Sequence, residues 1–122
     1  MEIDKARLSL QGARLCFEGK CYDSSASRSY YAMFQAAQVA LDQAGFGRRE
    51  WTHAGLQASF ASQLIQRKKI YPPRLAQQLN QALRWRLVAD YSSTGISQRQ
   101  AAELLRWAED FVCRVEEVIQ GV

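Results

Sequence analysis

Hydrophobic positions recur along most of this chain at steps of three and four, the rhythm of a helix that buries one face. Ile3, Ala6, Leu10, Ala13 and Phe17 draw the first stripe, which predicts a helix from about Asp4 to Glu18 that Gly19 ends. Ala26, Tyr30, Met33, Ala37, Leu41 and Ala44 draw the second, up to Gly45, with Asp23 or Ser24 available to cap the free amides at its start. Tyr31 and Phe34 widen that apolar face, which predicts a central helix with neighbours on more than one side.

The segment from Gly45 to Trp51 has two glycines and two arginines and no period, so it reads as a loop, with Thr52 as the cap of the next helix. Leu56, Phe60 and Leu64 define this third helix, which gives out near Arg67, Lys68 and Lys69, before Tyr71, Pro72 and Pro73. Pro73 suits a first helical turn. Leu75, Leu79, Ala82, Leu83, Arg86 and Asp90 then share one face of a fourth helix, which puts two charges on a stripe that should be buried. Ser97 and Gln100 have capping-box spacing, and Ala101, Leu104, Leu105, Ala108, Phe111, Val112, Val115, Val118 and Ile119 give the last helix a wide apolar face.

No strand-like alternation, internal repeat or low-complexity tract competes with these helices. The fold class expected is all-α, an up-and-down bundle of about five helices in a single domain over residues 1–122. A chain of 122 residues, 48% apolar and 23% charged, fits one ordinary globular domain. The wide faces of helices two and five predict a homodimer, because one bundle would leave them partly uncovered. Charged residues crowd the start and interrupt every apolar run, which predicts no secretory signal, no membrane span and a cytoplasmic protein whose three cysteines are reduced thiols.

Sixteen Lys and Arg against twelve Asp and Glu give a net charge of +4, which permits contact with phosphates without demanding it. The chemistry is more local. Arg86 and Asp90 stand four apart and are neighbours on one helical face, either as a structural ion pair or as the wall of a polar cleft where Arg86 offers its planar fork to a phosphate or carboxylate. Ser27, Arg28, Ser29, Tyr30, Tyr31 and Phe34 crowd two turns of helix two. The rings read as core, and Arg28 is expected to reach across to an acid, Asp90 being the natural partner. His53, the only histidine, reads as a cap or surface residue; no second ligand stands at metal spacing, so no metal or cofactor is expected. Arg48 and Arg49 on one loop, with Arg67, Lys68, Lys69 and Arg74 near another, could combine into a basic patch that attracts a polyanion.

The order Arg28-x-Tyr30-Tyr31-Ala32-Met33-Phe34, Thr52-His53-x-Gly55, Arg86-x-x-Ala89-Asp90-Tyr91 resembles the HEPN family, and within it the small stand-alone UPF0332 branch. The likeness spans nearly the whole chain. It implies a helical bundle that commonly dimerises, and many such proteins are encoded beside a minimal nucleotidyltransferase as toxin and antitoxin pairs. The partners it implies are therefore a second copy, a nucleotidyltransferase, and RNA or a nucleotide.

The family's active ribonucleases carry an Arg-x4-6-His motif. Arg86 matches its arginine and is the one catalytic candidate, but Tyr91, Ser92 and Ser93 stand where the histidine would. Metal-free RNA cleavage needs a base for the 2′-hydroxyl and an acid for the leaving oxygen. A tyrosine hydroxyl, with an ordinary pKa of about 10, is a poor base, and nothing in the sequence brings His53 to Arg86. The expectation is a non-catalytic module that binds through Arg28, Tyr31, Arg86, Asp90 and Tyr91, with His53 as an accessory. A ribonuclease toxin and a purely structural interaction domain are the rivals.

Overall fold

The structure, a computed structural model, describes residues 3–121, and among them every regular element is helical. Helix α1 is Ile3–Glu18, α2 Tyr22–Gln43, α3 His53–Ser59 continued by a π-helical stretch Phe60–Arg67, α4 Pro73–Tyr91, and α5 Gln98–Ile119. The all-α bundle that the periodicity predicts is therefore the observed fold.

Helix α2 is central. Its buried alanines at 26, 32, 36, 37 and 40 lie on several sides of the axis and let α1, α5 and α4 approach closely, while Tyr30, Met33 and Leu41 fill the gaps between them. The core continues through Leu56, Phe60, Leu64, Leu75, Leu79, Leu104 and Phe111, all fully buried. Each such side chain gains roughly 1.5–3 kcal/mol from leaving water. The Phe60 ring packs between Tyr71 and Phe111 at centroid distances of 5.4 and 5.3 Å, and Trp85 stacks on Trp107 at 5.2 Å, joining α4 to α5. The apolar faces of α2 and α5 are thus largely covered within one chain, Val118 near the end of α5 being the exception at 41% exposure, which removes most of the premise for a dimer drawn from their width. The exposed large apolar side chains lie mainly elsewhere, Leu8 and Leu15 on α1 and Leu87, Val88 and Tyr91 on α4.

Three local expectations need correction. Asp23 does not cap α2; its carboxylate accepts from the Ile96 amide at 2.7 Å and ties the start of α2 to the turn before α5. Gly95 makes that approach achievable, because its φ is +72° and a Cβ there would stand 2.9 Å from the Asp23 oxygens. Gly19 is not the left-handed residue that stops α1. Lys20 is, at φ 63°, with the Cys21 amide reaching back to the Cys16 carbonyl at 2.8 Å. The third helix does not stay α-helical beyond Ser59. Leu56, Phe60 and Leu64 repeat every four residues, whereas an α-helix turns in about 3.6, so an α-helical third segment would carry Leu64 about 80° off the core face. Wider winding keeps all three buried, and the Lys68 amide accordingly bonds the Gln63 carbonyl five residues back at 2.9 Å.

The capping box at α5 forms as the spacing predicts, with the Gln100 amide donating to Ser97 Oγ at 3.1 Å and the Ser97 amide to Gln100 Oε1 at 3.0 Å. Exposed ion pairs, Arg7 with Glu116 and Arg14 with Glu109, lie between α1 and α5; such pairs contribute about 0–1 kcal/mol each. No described helix is long and apolar enough to cross a membrane.

Candidate functional site

Packing of α2 against α4 brings the charged end of the α4 stripe against the aromatic turn of α2. Arg86 Nε lies 3.0 Å from Asp90 Oδ2, one helical turn on, though off the line that a hydrogen bond needs. Its Nη2 donates to the Tyr31 hydroxyl at 2.9 Å. The same guanidinium lies 5.0 Å from the Tyr31 ring centroid and 5.9 Å from that of Tyr30, within reach of the rings' negative faces. Side-chain exposures of 16% for Arg86 and 31% for Asp90 place the pair at the edge of the core.

Arg28 joins this cluster by a different route from the one its position suggests. Asp90 does not take it: Oδ1 accepts from the Ser27 hydroxyl at 2.7 Å and Oδ2 faces Arg86. The Arg28 guanidinium instead lies over the Tyr31 ring at 5.2 Å, and among the described residues it has no carboxylate partner. Two arginines from different helices thus share one tyrosine. A groove of about 470 Å³ opens beside them, lined by Ser24, Ser27, Arg28, Ala89 and Asp90 among others. Tyr91, 78% exposed, stands outside this network at the end of α4.

The largest departure concerns His53. Thr52, not His53, caps α3, its hydroxyl accepting from the Gly55 amide at 2.9 Å. His53 is half-buried against Tyr30 and Phe34, at ring centroid distances of 5.5 and 4.9 Å, and Nδ1 lies 2.5 Å from the Tyr30 hydroxyl. Burial, and secondarily the charge of Arg86, push its pKa below the usual 6.5. The reading of His53 as a cap or surface residue is therefore overturned: α3 carries it to Tyr30, within the field of Arg86. Tyr30 is completely buried, and burial raises its hydroxyl pKa well above the usual tyrosine range.

The basic residues form a looser set. Arg48 lies over the Trp51 ring of its own loop at 4.5 Å, and Lys68 reaches the Phe46 ring at 5.9 Å, which links that loop to the segment after the third helix. Arg49, Arg67 and Lys69 are exposed, whereas Arg74 is paired with Asp110 at 3.0 Å. Among the described residues no three His, Cys, Asp or Glu side chains stand together as metal ligands.

Residues 2–118 match the HEPN domain. The chain belongs to the HEPN family. A UPF0332 protein of Gloeobacter violaceus is 32% identical over 112 residues, covering 90% of this chain and 86% of its own. Two proteins of Methanocaldococcus jannaschii named as candidate toxins are 28% identical over 98% of this chain and 87% of the relative, and 29% identical over 84% and 68%. Within this HEPN chain the positions expected to hold the motif histidine, Tyr91, Ser92 and Ser93, are all exposed. The imidazole that does lie in Arg86's field comes from a different helix.

Proposed function

We propose that this HEPN chain is a toxin-type module that binds the phosphate of RNA or a nucleotide at the Arg86 cluster, acts as a homodimer, and is held in check by a nucleotidyltransferase-type partner. The observation that carries the reading is the half-buried Arg86 guanidinium, fixed by Asp90 and Tyr31 and flanked by two tyrosine rings and a second arginine. A guanidinium has five N–H donors, and Asp90 and Tyr31 engage only part of that set, leaving others for a forked contact with phosphate. Preorganisation matters here, because an arginine already held in place loses less side-chain freedom when ligand arrives. The relatives named as candidate toxins support the toxin-type part.

The partner and the second copy rest on family resemblance and on the exposed Leu87, Val88 and Tyr91 beside the cluster. Fluorescence anisotropy with a labelled single-stranded oligoribonucleotide, and competition by ATP, tests the site. Arg86→Ala should weaken binding about tenfold or more, the worth of one charge-assisted hydrogen bond. Equal binding by wild type and Arg86→Ala would sink the reading. The ribonuclease alternative is favoured by one observation, the proximity of His53 to Arg86, and is tested by cleavage of the same RNA. The expected result is cleavage no faster than in Arg86→Ala.

A further inference from the structure

We propose that His53 is a second ligand-binding residue of this site, a neutral hydrogen-bond donor that presents Nε2–H to a phosphate oxygen held beside it by Arg86, with Tyr30 fixing its tautomer. The proposal rests on the Arg86 reading above and adds to it the identity and protonation state of a residue from a third helix.

Tyr30 determines which imidazole nitrogen carries the proton. Its hydroxyl is buried, stays protonated because burial disfavours the phenolate, and has a single hydrogen-bond neighbour among the described residues, Nδ1 of His53 at 2.5 Å. A buried O–H must donate somewhere, and Nδ1 is the acceptor within reach. Nδ1 therefore supplies a lone pair, and in a neutral imidazole the proton sits on Nε2. That nitrogen takes no partner among the described residues, yet it is not among the buried polar atoms left without one, so it reaches solvent.

The charges around the ring favour the neutral form. From α4, the charge of Arg86 acts on it, and Arg86 is paired with Asp90; α2 contributes the Tyr30 hydroxyl; and the only charge on the π-helical stretch is Arg67 at its far end. Burial and Arg86 both oppose protonation. A neutral donor beside a cation suits a phosphodiester oxygen, since it adds a hydrogen bond without a second positive charge to desolvate. The same tautomer leaves no imidazole lone pair for deprotonating a 2′-hydroxyl. Proximity to Arg86 therefore does not restore the missing base, and His53 serves binding rather than cleavage.

Two measurements test this. Long-range 15N–1H NMR of the free protein at pH 7 should show Nδ1 as the unprotonated nitrogen and Nε2 as the protonated one, and Tyr30→Phe should release the ring into a tautomer mixture; a protonated Nδ1 in wild type would overturn the proposal. In anisotropy with the single-stranded oligoribonucleotide, His53→Leu should weaken binding about tenfold, whereas His53→Gln, whose amide can place a donor near the Nε2 position, should stay within about threefold of wild type. If Arg86→Ala loses RNA and His53→Leu does not, this proposal fails while the Arg86 site stands. If Arg86→Ala also binds normally, both fall.

Discussion

Asp90 accepts from the Ser27 hydroxyl of α2 on Oδ1 and forms an ion pair with Arg86 of its own helix through Oδ2. Its removal leaves Arg86 half-buried without a counter-charge. Loss of one member of a fully buried pair costs about 3–5 kcal/mol, but exposed pairs are worth about 0–1. With exposures of 16% and 31%, Asp90→Ala should cost about 1–2 kcal/mol by urea denaturation, against almost nothing for the exposed Arg67→Ala. A double-mutant cycle should show coupling between Arg86 and Asp90 and additivity between Arg28 and Asp90, because Arg28 stacks on Tyr31 instead. Coupling confined to the Arg28 pair would contradict the geometry. The Arg86 and Asp90 contact was legible in their four-residue spacing, since one helix contains both. The partner of Arg28 was not, because stacking on a ring and pairing with an acid look alike in a sequence.

His53 gives a second prediction at this scale. Its pKa is lowered in the folded chain from 6.5, so below 6.5 the unfolded chain binds the proton more readily and protonation pulls toward unfolding. The stability present above pH 6.5 is thus lost as pH falls from 6.5 through the folded-state pKa, and is level on the neutral side of that window. The difference in melting temperature between wild type and His53→Gln should therefore change between pH 7.5 and pH 5. Parallel pH profiles would show that the imidazole titrates alike in both states. The family-like Thr52-His53-x-Gly55 motif singled out His53 as an accessory, but its surroundings were not legible, because the slot between Tyr30 and Phe34 exists only once α3 meets α2.

Among the elements, periodicity located the helices because each buries one continuous face, and the Ser97 and Gln100 pair fixed the start of α5 because both halves of its cap lie within four residues. Where winding or termination depended on strain, the sequence was less informative. The strict four-residue repeat of Leu56, Phe60 and Leu64 was visible, and it is the one signal that foreshadows the π-helical stretch. At the end of α1 the glycine is one position early, and Lys20 bears the strain of a left-handed backbone. That conformation strains an L-residue by roughly 1–2 kcal/mol, partly offset by glycine's larger entropy in the unfolded chain. Lys20→Gly should therefore stabilise the protein by about 0.5–1 kcal/mol, read as a raised melting temperature. A lowered one would mean that the lysine side chain contributes more than the strain removes.

At the scale of the whole molecule, the apolar surface left by folding bears on assembly. Helices α2 and α5 bury most of their apolar faces inside the bundle, whereas α4 turns Leu87, Val88 and Tyr91 outward at exposures of 45%, 37% and 78%, in the stretch that directly follows Arg86. Leu87 and Tyr91 stand four apart and form a short ridge on one side of the helix. A self-complementary contact through this ridge would put the same patch of both copies together across a two-fold axis, and bring two Arg86 clusters toward one seam. The proposed homodimer should then have a mass of about 28 kDa by light scattering, twice the 13.9 kDa of one chain. A charge at the centre of such a contact would have to be desolvated without a partner, at a cost of several kcal/mol. Leu87→Glu should accordingly yield a folded monomer of 13.9 kDa with an unchanged helical circular dichroism spectrum. The outer face of α1, with exposed Leu8 and Leu15, is the competing surface. A dimer that survives Leu87→Glu but dissociates on Leu15→Glu would move the seam to α1, away from the Arg86 cluster, and each site would then act within a single chain.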